Sequence, residues 1–159
     1  MQLSQKGEHF LANQEGKQVN DKGLHIPYKC IAGKWTLGYG EVISPEQVEQ
    51  FKAGITEEEA LKRFRLKYKQ FVDAVNKNVR VPLTQNQFDM LVSLAYNIGV
   101  VAFGRSTVLS KVNSRLFTQA ADHFLDWCKF TNPVNGKIQT SKGLLARRER
   151  EKAIFLTKE

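Results

Sequence analysis

Strand patterning is confined to the front of this 159-residue chain; every periodic stretch after residue 44 carries the period of a helix. Two short extended runs, about Leu24–Ile31 and Trp35–Tyr39, are joined through Ala32-Gly33-Lys34. Gly38 and Gly40 mark bends or places of close backbone approach. A few early strands followed by helices exclude alternating βαβ units. The class is α+β with segregated elements.

The helix signals are specific. Ser4 caps a first helix that buries Phe10 and Leu11, runs to about Glu15 and stops at Gly16. Asn20-Asp21-Lys22-Gly23 reads as a turn. Ser44-Pro45-Glu46-Gln47 has the form of a capping box with proline at the first helical position. Thr56-Glu57-Glu58-Glu59 opens a long helix with Leu61, Phe64, Tyr68, Phe71, Val72 and Val75 on one face. Thr84-Gln85-Asn86-Gln87 caps a helix through Asn97, ended by Gly99. Its run Met90–Tyr96 is apolar almost all round, which predicts the central buried helix. Ser106 caps a short helix, and Thr118 opens another with Ala121, Phe124, Leu125 and Cys128 inward. Asn135-Gly136 turns the chain into a last helix, Ser141–Thr157. The expectation is one domain over residues 1–159. It has a small β-containing lobe at about 16–55, a helical lobe at about 60–159 joined by the N-terminal helix 4–15, and a cleft between them.

Composition removes several function classes. The longest apolar run is far short of the ~20 residues a membrane helix needs. The start, Met1–Lys6, lacks a secretory core, so neither a signal peptide nor stable membrane insertion is expected. Cys30 and Cys128 cannot build a disulfide framework and are expected as reduced thiols. His9, His25 and His123 show no metal spacing, and Gly38-Tyr39-Gly40 lacks the context of a phosphate loop, so no metal or cofactor is expected. A net charge of +8 favours a polyanionic partner: nucleic acid, anionic membrane or bacterial cell wall. The same lysines and arginines also read as solvated helix faces.

The chemistry-bearing stretch is Pro27–Gly40, with Glu15-Gly16 upstream. Cys30 and Thr36 are separated by five residues across the hairpin turn. If the hairpin folds back on Glu15, an acid faces a thiol and a hydroxyl across a cleft. Cutting a glycosidic bond needs a proton for the leaving oxygen and a nucleophile at the anomeric carbon. Glu15 is the candidate acid. Thr36 can orient a water. Each has a plainer reading: a surface glutamate at a helix end, a β-branched strand residue, and for Cys30 a small buried core residue.

At these residues the chain resembles bacteriophage-type lysozymes, the muramidase endolysins of glycoside hydrolase family 24. The carrying segments run nearly end to end and in the family's order. They are Glu15-Gly16; Pro27–Cys30 with Ala32-Gly33 and Trp35–Gly40; Ile55–Ala60; Leu83–Asp89 through Asn97–Gly99; Ala102-Phe103 with Ser106-Thr107; and Gly143–Leu145 with Arg147-Arg148 and Glu151. The resemblance implies a lysozyme-like α+β fold and the cysteine-bearing catalytic pattern, with Glu15, Cys30 and Thr36 catalytic. It further implies that Gly40, Val42 and Phe103 line the saccharide cleft and that Arg147 or Arg148 approaches Glu15. Two departures stand out. Fourteen residues lie between Glu15 and Cys30, six more than the family pattern, and the extra ones fall within Lys17–Ile26. By spacing alone Asp21 would replace Glu15, but Glu15 carries the Glu-Gly pair and ends the helix. The family's histidine after Gly-Tyr-Gly is Glu41 here.

The resemblance implies hydrolysis of the β-1,4 bond between N-acetylmuramic acid and N-acetylglucosamine in bacterial peptidoglycan, causing host cell lysis. A monomer is expected, with no nucleic-acid partner. The protein would stay in the host cytoplasm until released to the wall. Three rivals are a lytic transglycosylase, a catalytically dead wall-binding or virion protein, and a cationic membrane-disrupting protein acting through residues 142–158.

Overall fold

A computed structural model describes the whole chain, Met1–Glu159. The chain forms two compact units, His9–Lys69 on the one hand and Met1–Glu8 with Gln70–Glu159 on the other. The first helix, α1 (Gln5–Gln14), and the long α3 (Glu57–Asn78) each run through a point of division. The sequence places the break between residues 55 and 60, where α3 begins. The observed division lies inside α3, where helical periodicity continues unbroken.

The His9–Lys69 unit holds the early strands. β1 (Tyr28–Lys29), β2 (Trp35–Leu37) and β3 (Glu41–Val42) form an antiparallel sheet in that order. Tyr28 pairs with Thr36 and Lys29 with Trp35; Thr36 pairs with Val42 and Leu37 with Glu41. The predicted first strand is longer than the observed one. His25 forms isolated bridges with Val19 and Ile55 instead of joining β1. Pro27 between them has no N–H to give a ladder. A two-residue strand such as β3 is too short to show a period, and sequence reasoning missed it. α2 (Pro45–Gln50) has the predicted capping box between Ser44 and Gln47. Thr56 Oγ1 accepts from the Glu59 N–H to start α3. The core holds an aromatic file, His25–Tyr39–Phe64–Tyr68, with ring centroids 5.1 to 5.4 Å apart, and the fully buried Leu11 and Leu37 belong to the same unit.

The other unit is helical. α4 (Gln85–Ile98) starts at the predicted Thr84–Gln87 capping box and buries every residue from Phe88 to Ala95. It packs against α8 (Lys142–Leu156), which is capped by Ser141 and buries Arg147, Arg148, Glu151 and Phe155. Between them come α5 (Val100–Gly104), α6 (Thr107–Asn113, capped by Ser106) and α7 (Phe117–His123). α7 begins at Phe117, ahead of the predicted Thr118, with no side-chain cap. Cys128 is inward as expected. The turn at Asn135-Gly136 closes a small hairpin, β4 (Lys129–Thr131) and β5 (Ile138–Thr140), which the sequence reading left without structure.

Candidate active site

The site is built where α1 ends. The Glu15 N–H donates to the Ala12 carbonyl at 3.1 Å, tightening the last turn and leaving a half-buried carboxyl at the helix terminus. Gly16 follows because Tyr28 needs the room: a Cβ there would lie 3.2 Å from the phenol oxygen. The Tyr28 hydroxyl donates to the Gly16 carbonyl at 2.6 Å. This bond fixes the residue after the acid to the strand that faces Thr36 across the sheet. Burial pushes the Tyr28 phenol above its ordinary value, and the charges of Glu15 and Cys30 push it the same way.

The hairpin turn presents the other two groups. The Cys30 N–H donates to the Lys34 carbonyl at 2.9 Å, and Gly33 returns a bond to the Cys30 carbonyl at 2.8 Å. The Lys34 backbone N–H beside the sulfur holds the half-buried Cys30 thiol below its ordinary value. Partial burial opposes this, while the Ala32 amide, the Thr36 hydroxyl and the residue's own amide assist it. Thr36 is 2% exposed, and its hydroxyl donates to the Lys34 carbonyl at 3.0 Å. A hydroxyl has one proton. The Lys34 carbonyl and the Cys30 sulfur therefore compete for it, while the oxygen's lone pairs stay open to accept.

Gly40 closes the site. Its φ of +78° is left-handed, and a Cβ would collide with Glu15 Oε2 and lie 3.2 Å from Lys67 Nζ. That ammonium donates to the Gly40 carbonyl at 2.7 Å. A pocket of about 450 Å³ results, lined by Glu15, Tyr28, Cys30, Thr36, Gly40 and Val42 among others. Five of the six residues singled out in the sequence thus share one cavity. Tyr28 and Lys67 are the ones sequence reasoning missed. Each acts through a backbone carbonyl far along the chain, which leaves no local pattern to find.

Glu15 also borders a second cavity of about 370 Å³, with Lys17, Tyr39 and Glu57. Glu57 is a different kind of carboxylate. Burial pulls its pKa up, but hydrogen bonds from Tyr39 and from His25, at 2.6 Å, outweigh that and leave it below the ordinary value. These bonds favour its ionised form. Asp21 lies exposed in the Asn20–Gly23 turn, outside both cavities.

The model of the phage lysozyme family matches residues 22–151. The chain belongs to the phage lysozyme family. It is 38% identical to an endolysin of Acyrthosiphon pisum secondary endosymbiont phage 1 over 98% of both chains. It is also 38% identical, over its whole length, to an endolysin of Bacillus phage B103, of which it spans 56%. Among solved structures it is similar to the muramidase domain of SpmX from Asticaccaulis excentricus, at 36% identity, a TM-score of 0.81 and 99% coverage of each chain.

In this phage lysozyme the extra residues after Glu15 form an ordered turn. The Asn20 side-chain oxygen accepts from Lys22 and Leu24, and the Asn20 N–H donates to the Leu24 carbonyl. Glu41, where the family has histidine, is paired with Arg63 at 3.0 Å and takes no part in lining the pocket. Phe103, expected from the resemblance to line a saccharide cleft, is completely buried; its ring has no surface to offer a sugar. Arg147 and Arg148, one of which was expected beside Glu15, both direct their guanidinium groups at the buried Glu151.

Proposed function

We propose that this chain is a muramidase that hydrolyses the β-1,4 bond between N-acetylmuramic acid and N-acetylglucosamine in bacterial peptidoglycan, with Glu15 as general acid. Its family makes it a glycoside hydrolase of the lysozyme type. One observation carries the assignment of roles: a half-buried carboxyl shares a cavity with a thiol of lowered pKa and a buried hydroxyl. Glu15 gives its proton to the leaving oxygen. Thr36 and Cys30 hold the attacking water. The Thr36 oxygen accepts one water hydrogen through a lone pair, its own proton being shared between the Lys34 carbonyl and the Cys30 sulfur. The Cys30 sulfur, eased toward thiolate by the Lys34 amide, draws off the other as the new C–O bond forms. The enzyme reaches the wall from the host cytoplasm as a monomer. No helix in the chain is long and apolar enough to cross a membrane.

The test is product analysis on purified sacculi. Wild type should release reducing ends and muropeptides carrying the added water. Glu15→Gln should lower the rate by on the order of 10³-fold or more, and Cys30→Asp should keep activity by restoring a carboxylate base. Anhydro products, or a Glu15→Gln enzyme that cuts at the wild-type rate, would overturn the reading.

A further inference from the structure

We propose that the β4–β5 hairpin is a docking finger for an anionic lipid surface. Every residue from 129 to 140 is exposed except the half-buried Asn132. Among them are Phe130 at 41%, Ile138 at 73% and Val134 at 92% exposure. Apolar side chains this open on a slack loop would mean little. Here the backbone holds them out. The Ser141 N–H closes the base on the Cys128 carbonyl at 2.7 Å, and the Asn132 N–H meets the Lys137 carbonyl at 2.8 Å. The tip is tied twice more: Val134 donates to the Asn132 side chain at 2.8 Å and Lys137 to the Asn135 side chain at 2.9 Å.

Charge narrows the partner. Between Asp126 and Glu149 there is no acidic residue. Lys129, Lys137 and Lys142 are exposed, while Arg147 and Arg148 are occupied with Glu151 inside the unit. The exposed cations alone would suit any polyanion, a wall polymer included. The aliphatic tip decides for lipid, because a hydrated glycan offers it no escape from water. The strand register agrees. Ile138 pairs with Thr131 and Phe130 with Gln139, so the two apolar strand residues stand on opposite faces of the ribbon. A rigid protein partner would cover one face. A fluid headgroup layer receives both, with the lysines left among the phosphates. The hairpin lies outside the residues that line the catalytic pocket, so this inference does not rest on the mechanism above.

The experiment is sedimentation of the full chain with vesicles of phosphatidylcholine, alone or mixed with phosphatidylglycerol. Wild type should bind the anionic vesicles, fail to bind the neutral ones, and detach as salt is raised. The Val134→Asp/Ile138→Asp variant should lose about tenfold or more in binding, with far-UV circular dichroism and cutting of isolated sacculi unchanged. Should that variant misfold, Lys129→Gln/Lys137→Gln must still weaken anionic binding several-fold. The proposal fails if wild type ignores anionic vesicles or binds neutral ones equally well. It fails also if either folded variant binds as wild type does, or if the variants lose grip on sacculi and keep it on vesicles.

Discussion

Tyr28 does the least visible work in the pocket, and its loss is informative. Removing its hydroxyl breaks the 2.6 Å bond to the Gly16 carbonyl and frees the backbone that carries Glu15. Tyr28→Phe should lower kcat by on the order of tenfold through misplacement of the proposed acid and cost about 1 kcal/mol of stability. Steady-state kinetics and urea unfolding on the same preparation check both. Cys30 gives the second residue-level prediction. Because the Lys34 amide lowers its pKa, the thiolate persists to lower pH than in an ordinary thiol. The pH midpoint of iodoacetamide alkylation should fall below that of a cysteine model peptide, while buried Cys128 reacts slowly. Thr36→Val, which takes away an assisting hydroxyl, should move the midpoint up. The spacing of Cys30 and Thr36 was legible because a hairpin turn places them by local geometry. Tyr28 was not, since its bond spans twelve residues and ends on a carbonyl every residue type has.

Among the elements, α8 carries a charge cluster where an amphipathic helix would carry leucines. Glu151 is fully buried. It pairs with Arg147 at 3.0 Å and Arg148 at 2.9 Å and accepts from the Ser93 hydroxyl of α4 at 2.7 Å. Burial pushes the Arg148 guanidinium down to about 10, so it stays charged at neutral pH and needs its partner. Glu151→Gln should therefore destabilise the fold by about 3 kcal/mol or more, since two buried cations lose their counter-charge. Replacing Arg148 and Glu151 together by apolar residues should cost less than that. Thermal unfolding distinguishes the two outcomes. Helix starts were readable wherever a serine or threonine cap preceded the apolar face, at Ser44, Thr84, Ser106 and Ser141. At α7, whose cap position is Leu116, the start was read one residue late, and α5, which is five residues long, was not read at all. Strands fared worse: β1 was read too long, and β3, β4 and β5, of two or three residues each, were too short for alternation to declare them.

For the molecule as a whole, the +8 charge sets how it meets a polyanionic wall. On sacculi, kcat/KM should fall steeply as salt is raised through the physiological range. On a short uncharged oligosaccharide it should hardly change. Equal salt sensitivity on both substrates would show that the charge does not steer encounter. The α+β class and the order of the elements were readable because they follow from where periodicity changes. The two-unit division was not, because it falls within a helix whose pattern is continuous. The phenol bond from Tyr28 to Gly16 also has an engineering consequence. It clasps the two ends of the segment that separates them, so the length of chain in between has little purchase on the proposed catalytic groups. Doubling such a segment adds only about 0.6 kcal/mol of closure entropy. A reporter epitope or recognition peptide spliced in beside Lys22, at the outward turn, should ride on a working enzyme.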